Sequence, residues 1–211
     1  MSTALDRLIL FTRYPEPGTT KTRLIPVLGP EGAAEFQRRL TERAAQIAAA
    51  TRSRRGLLLE IRHSGGSQAG MRQWLGEEFS YRPQGPGDTG TRMEACFRAA
   101  FEEGAERAVL IGADIPALSP AILSRAFDGL DRCDLVFGPA ADGGYYLIGA
   151  TAAGFRRSGA FLASGITWGA PDVLVQTLRR VRDAHLTCTL LEPLPDLARP
   201  ADQPAAPRAP P

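Results

Sequence analysis

The chain has 211 residues, 44% hydrophobic and 23% charged, with a formal net charge of +2, the size and balance of one globular domain. So small a net charge gives no basic stripe for nucleic acid, and no apolar run approaches the roughly 18 residues of a membrane span. Cys96, Cys133 and Cys188 are too far apart for a metal knuckle or a disulfide framework, and Asp6 and Arg7 stand where a signal peptide would be apolar. The expectation is therefore a cytoplasmic protein. Cys133 and Cys188, beside apolar runs, read as small buried hydrophobes.

Leu8–Thr12 is short, apolar and followed by Pro and Gly, which predicts a buried strand. Residues 30–50 are rich in Ala, Glu, Gln and Arg and predict a helix, with Phe36, Leu40, Ala44 and Ile47 as its apolar stripe. The Arg52, Arg54 and Arg55 cluster fits a helix C-terminus, where cations offset the dipole. A strand is predicted at 57–61, a short helix at 71–75, a third strand at 79–82 and a helix at 91–103. Ala108-Val109-Leu110-Ile111 is the clearest strand of all. Ser119 followed by Pro120 marks the start of a helix running to Leu130. Strands at 134–137 and 145–148, a helix at 171–184 and a strand at 186–191 complete the pattern. Residues 1–197 form the domain, and the Pro- and Ala-rich residues 198–211 read as a disordered tail.

Strands alternating with helices predict a doubly wound, mostly parallel α/β sheet. Such sheets bind ligands beyond the carboxyl ends of their strands. The segments in that position, 13–23, 84–90, 112–116 and 138–144, contain every motif with chemical content. In the first, Lys21 is the only Lys among 25 basic residues. Its compact ammonium, with Arg23, Gly18, Thr22 and free backbone N–H groups, suits a triphosphate and its leaving pyrophosphate. A Walker A loop is excluded, because Pro15 and Thr20 occupy its two Gly positions.

Gly85, Gly87 and Gly90 match a dinucleotide fingerprint, but the strand before them is short and polar, and Pro86 occupies the tight turn. A Gly-rich loop against a base or ribose, with Gln84 as its amide and Arg92 just beyond, fits better. Asp114 is the metal candidate, since Mg²⁺ (or Mn²⁺) takes one or two carboxylates plus substrate phosphates. Asp142, Gly143 and Gly144 suit close backbone approach to an acceptor, or else a plain turn between strands. Trp168 and Tyr145 would line the acceptor pocket, while one of the adjacent pair Tyr145 and Tyr146 must face the core. His63 and His185 are isolated.

Four motifs in order resemble one family: Pro17-Gly18-x-x-Lys21-Thr22-Arg23-Leu24, Gly87-Asp88-x-Gly90-x-Arg92-Met93, Gly112-x-Asp114-x-Pro116-x-Leu118, and Pro139-Ala140-x-Asp142-Gly143-Gly144-Tyr145-Tyr146-Leu147-Ile148-Gly149. From about residue 7 to 202 the chain resembles the DUF2064 family of transferases, often labelled glycosyltransferases, in the nucleotide-diphospho-sugar transferase (GT-A) superfamily. More distantly it is similar to the guanylyltransferases for phospholactate and molybdopterin. The resemblance implies a three-layer GT-A α/β/α fold, a nucleotide over the first strand–helix loop and a divalent metal on Asp114. The family usually ends in Asp-x-Asp-Thr-Pro-Glu-Asp, whereas Asp196-Leu197-Ala198 places Ala at the second Asp. Asp196 or Asp142 then completes the metal site, or the site is weakened.

The expected activity is Mg²⁺-dependent transfer of a nucleoside monophosphate from an NTP to a small phosphorylated acceptor. Sugar transfer from an NDP-sugar, and a nucleotide-binding protein without turnover, are the alternatives.

Overall fold

A computed structural model describes residues 5–158, 162 and 165–195; the tail, with Asp196 and Ala198, lies outside them. Seven strands form one sheet: β1 (Asp6–Arg13), β2 (Leu58–Ser64), β3 (Ser80–Pro83), β4 (Arg107–Gly112), β5 (Leu135–Pro139), β6 (Tyr145–Thr151) and β7 (Cys188–Leu190). Their spatial order is β3-β2-β1-β4-β6-β5-β7. All contacts are parallel except the two that β6 makes, with β4 and β5. Its reversal follows from chain length: the five residues 140–144 allow a hairpin but no crossover helix. In consequence the start of β6 lies at the same edge as the ends of β1, β2, β4 and β5.

The helices are α1 (Ile25–Arg55), α2 (Gln68–Leu75), α3 (Thr89–Glu102), α4 (Pro120–Gly129), α5 (Ala152–Ser158) and α6 (Val173–Asp183). One core gathers α1, α2 and α4 on one face, with Leu8, Leu10, Ile61, Val109 and Phe127 among its residues. The other gathers α3 and α6, with Ile9, Phe97, Leu110, Phe137 and Val181. Alternate residues of β1 and β4 thus feed opposite cores, as a central strand requires, and the architecture is the expected three-layer sandwich.

Boundaries depart from the sequence reading in instructive ways. Gly29 (φ 71°, ψ 169°) breaks α1, so the regular helix begins at Pro30, and Gly56 in the left-handed region ends it after Arg55. Its buried face includes Gln37, Thr41 and Thr51 besides Leu40 and Ala44, while Phe36 and Ile47 are only half-buried. Ser67, Asp88 and Ser119 cap α2, α3 and α4 by accepting the N–H of Gly70, Thr91 and Ile122. The expectation for the cysteines fails in part: Cys188 is exposed and Cys133 half-buried, because β7 is a three-residue edge strand, whereas Cys96 is buried in the α3 core. Among the described residues no helix is long and apolar enough to cross a membrane.

Candidate active site

At the carboxyl edge of β1, β2 and β4 a cavity of about 330 Å³ opens, lined by residues of β1, the following loop, α1, α3 and the β4 loop. Lys21 sits on its wall with a left-handed backbone (φ 49°, ψ 42°), uncommon for a residue with a Cβ. Thr22–Leu24 continue as one 3₁₀ turn that buries Leu24 and exposes Thr22 and Arg23. The Lys21 side chain is 7% exposed and pairs through Nζ with Asp114 Oδ2 at 2.8 Å, while the Asp114 side chain is 41% exposed. A sequestered ammonium needs such a partner. The lone Lys and the metal candidate therefore form one unit, a pairing that nothing in the sequence announced.

A buried polar network supports this wall. Thr12 and Thr41 hydroxyls are 2.8 Å apart, and Gln37 Nε2 donates to both, at 3.3 and 3.0 Å. Gln84 Nε2 donates to the carbonyls of Thr12 (2.7 Å) and Arg62 (3.2 Å). Both amide hydrogens of Gln84 are thus engaged, which leaves only its oxygen to offer a ligand. Gln84, Arg92, Lys21 and Asp114 all line the cavity, as do Thr12, Arg13, Thr20, Gln37, Ser64 and Thr89. Arg92 Nε is buried without a hydrogen-bond partner, a donor left over on a residue that lines the cavity. Arg13 donates to the Thr19 carbonyl at 3.1 Å and adds a third cation.

Other residues picked from the sequence do not line this cavity. Gly18 (φ 81°) turns the exposed loop, and Thr22 and Arg23 lie beyond Lys21. Gly87 has φ 98°, and a Cβ there would meet Thr91 at 2.8 Å. Gly90 is needed for packing: a Cβ would lie 1.9 Å from the Leu162 carbonyl and 2.5 Å from Trp168.

A cavity of about 160 Å³ joins Asp114 to Asp142, Gly144 and Tyr145. A further one of about 170 Å³ brings Asp142, Gly144, Tyr145 and Trp168 together with Thr89 and Met93. Four of the five residues expected on the acceptor side therefore share one space. The fifth, Gly143, backs onto the segment just before α6: its φ is 91°, and a Cβ would fall 1.7 Å from the Pro171 carbonyl. Asp142 Oδ1 accepts the Gly144 N–H at 3.0 Å, so the carboxylate also organises the β5–β6 turn.

The tyrosines divide as alternation requires. Tyr145 stacks edge-on against Phe137 and Trp168, at 5.5 and 6.3 Å between ring centroids. Its hydroxyl lies buried beside Thr177, and burial pushes its pKa well up. Tyr146 donates to the Glu192 carbonyl at 3.2 Å, and burial raises its pKa to about 12.

Asp114 could hold a divalent ion. The Lys21 ammonium already stands as a cation at its carboxylate, and Mg²⁺ is commonly bound by one or two carboxylates completed by substrate phosphates. Among the described residues, no group of three or more His, Cys, Asp or Glu side chains forms a protein-only metal site. With three cations and the partly exposed Asp114 carboxylate, the edge is equipped to bind and orient a polyphosphate.

A family described as an uncharacterized protein conserved in bacteria (DUF2064) matches residues 40–170. A crystal structure from Desulfovibrio desulfuricans G20, assigned to the nucleotide-diphospho-sugar transferases, is 34% identical, covering 92% of this chain and 82% of that one, with a TM-score of 0.83. The inositol-1-phosphate CTP transferase of T. maritima shares the fold at 12% identity, covering 97% and 93%, with a TM-score of 0.56. So does Rv0371c of Mycobacterium tuberculosis H37Rv in complex with manganese, at 15% identity, covering 95% and 96%, with a TM-score of 0.54. Among curated proteins none matches.

Proposed function

The chain belongs to the DUF2064 family, and we propose that it is a nucleotidyltransferase that moves a nucleoside monophosphate from an NTP to a small acceptor bearing a phosphate or phosphonate. The observation that carries this reading is the single cavity lined by Arg13, Lys21 and Arg92 together with Asp114, which Lys21 contacts. Three cations and one carboxylate suit a triphosphate with a divalent ion better than a diphosphate ester, which has less charge to neutralise. Gln84 and Gly87 would border the base and ribose.

In the reaction, an oxygen of the acceptor's phosphate or phosphonate forms a bond to the α-phosphorus, and the α–β bridging P–O bond breaks. Pyrophosphate leaves with that electron pair; nothing is oxidised or reduced. Lys21 and Arg13 would orient the triphosphate and hold the charge that builds on the leaving group, and Arg92 would hold a further phosphate oxygen. A divalent ion on Asp114 would supply additional charge neutralisation when bound, as the manganese complex of a protein with the same fold suggests. The Lys21–Asp114 contact holds the ammonium at the cavity wall before any ligand arrives. Free cysteines fit the reducing cytoplasm, where this reading places the protein.

Sugar transfer from an NDP-sugar is the second reading, favoured by the assignment of the 34%-identical relative. Thermal shift with NTPs and NDP-sugars, each with and without Mg²⁺ or Mn²⁺, separates the two. A ligand at 100 times its dissociation constant adds about 2.7 kcal/mol. Stabilisation by an NTP, with pyrophosphate released once an acceptor is added, is the expected result. Stabilisation by NDP-sugars alone would replace the first reading with the second, and none by any nucleotide would remove both.

A further inference from the structure

The acceptor side has the opposite electrostatic character from the nucleotide side. Among the described residues no Lys or Arg lines either of the two cavities that reach from Asp114 past Asp142 to Trp168. Asp142 is in no ion pair among those residues; its one polar contact is the Gly144 N–H on Oδ1, which leaves Oδ2 for a ligand. The same cavity has an aromatic side that is held in place: Trp168 packs over Gly90 and edge-on against Tyr145, which in turn meets Phe137. Met93 adds a polarisable side chain. An unpaired carboxylate sharing a cavity with an indole, with no Lys or Arg among the described residues that line it, repels a second phosphate and attracts a compact organic cation.

We propose that the acceptor carries an ammonium group, primary or methylated, which lodges between Asp142 and Trp168 while its phosphate or phosphonate points toward Asp114 and Lys21. The inference rests on the nucleotidyltransferase reading and narrows its substrate class. Connectivity supports the orientation. Asp114 lines both the nucleotide cavity and the next one, and Asp142 lines that one and the last. A molecule with an anionic and a cationic end a few bonds apart would meet matching charge at both ends. A polyol would find acceptors and an aromatic surface there but few donors, since among the described residues Thr89 contributes the only side-chain hydroxyl besides the buried Tyr145 phenol.

The test uses the full chain with three acceptors of the same two-carbon spacing: 2-aminoethyl phosphate, its N-trimethyl derivative and 2-hydroxyethyl phosphate, whose distal group carries no charge. Pyrophosphate release is followed with whichever NTP gives the largest thermal shift. At least one ammonium acceptor should exceed the hydroxyethyl ester about tenfold in kcat/KM, which converts to about 1.4 kcal/mol. Asp142→Asn keeps an oxygen for the Gly144 N–H, so the turn is retained. It should raise KM for the ammonium acceptor and abolish the preference, with the NTP and Mn²⁺ thermal shifts unaltered. Trp168→Leu, with a smaller side chain, should lower the preference in the same direction.

Absence of any nucleotide-induced shift would remove the transferase reading and this inference with it. Nucleotide binding with equal or better turnover of 2-hydroxyethyl phosphate, or of none of the three, would overturn the inference alone. So would loss of the Mn²⁺ shift in Asp142→Asn, which would make that carboxylate a metal ligand instead.

Discussion

The two halves of the carboxyl edge are built differently. The nucleotide half has three cations, a strained left-handed Lys21 and a hydrogen-bonded floor of Thr12, Gln37, Thr41 and Gln84. The acceptor half has an aromatic wall, a turn carboxylate and no cation among the described residues. One half is organised by polar bonds drawn from four elements. The other depends on close packing around glycines. Damage should therefore appear as lost chemistry on the first side and as lost fit or stability on the second.

The largest expected effect is on the first side. Lys21→Ala removes an ammonium already held at the cavity wall, and should lower turnover about 100- to 1,000-fold, as the loss of one preorganised donor does elsewhere. Asp114→Asn should also lower turnover, and should abolish any stabilisation by Mn²⁺ with nucleotide. Pyrophosphate release and thermal shift measure the two effects. An active Lys21→Ala enzyme would show that the Lys21–Asp114 contact is structural only.

Next in size are the glycines of the acceptor half. Gly143→Ala would combine a positive φ with a Cβ 1.7 Å from the Pro171 carbonyl, at a cost of about 3 kcal/mol in chemical denaturation. Gly90→Ala is more informative. Its spacing in the sequence suggests close approach to a nucleotide, yet its Cβ would strike the Leu162 carbonyl and Trp168. The expected result is a raised KM for acceptor with nucleotide affinity nearly unchanged. The reverse pattern would return Gly90 to the nucleotide side.

These two residues show what the sequence could convey. Strand punctuation located every strand of the sheet and, through them, the edge where Lys21, Gln84, Arg92, Asp114 and Asp142 meet. A strand's carboxyl end is a local property and can be read locally. Which side of a loop each residue faces is not local. Thr22 and Arg23 are turned outward by a 3₁₀ turn that follows an αL residue, and no propensity announces αL at a Lys. Gln37 was invisible for a related reason: an apolar stripe ignores a polar residue on the buried face of α1, where its partner Thr12 comes from another element. Gly90 and Gly143 illustrate the same limit, since a glycine's spacing cannot tell whether ligand or protein approaches it.

A smaller effect concerns neither half and serves as a control. Toward the far end of β1, Arg7 contacts Glu103 at 2.5 Å and the buried Glu60 at 3.3 Å, and Arg82 also pairs with Glu103. The Arg82 and then the Arg7 guanidinium hold the Glu103 carboxyl down at about 2. Its folded pKa is depressed, so its contribution is present above the unfolded value near 4.3 and is lost as pH falls from there toward 2. Glu103 is more than a third exposed, so after solvent screening the loss should stay below about 1 kcal/mol. Denaturation midpoints between pH 5 and about 2.5 should fall less steeply in Glu103→Gln than in the parent. Equal slopes would assign the acid sensitivity elsewhere.

The smallest expected effect is the sharpest for the acceptor half. Tyr145 borders the acceptor cavity, and a phenol beside a transferase site invites assignment as an acid or a hydrogen-bond donor to the acceptor. Its geometry argues against both. The ring faces Phe137 and Trp168, and the hydroxyl is buried beside Thr177 with its pKa raised by that burial. A phenol so situated stays protonated through the neutral range and has no path to substrate. Its contribution is the ring, which keeps Trp168 upright. Tyr145→Phe should therefore change kcat and acceptor KM by less than about twofold, and leave stability unchanged or slightly raised, because the buried hydroxyl has no hydrogen-bond partner to lose. Tyr145→Ala should raise acceptor KM and reduce discrimination for an ammonium group, because Trp168 would lose its edge contact. A large kcat loss in Tyr145→Phe would instead place the hydroxyl in the reaction and make the acceptor half, like its neighbour, a side organised by polar chemistry.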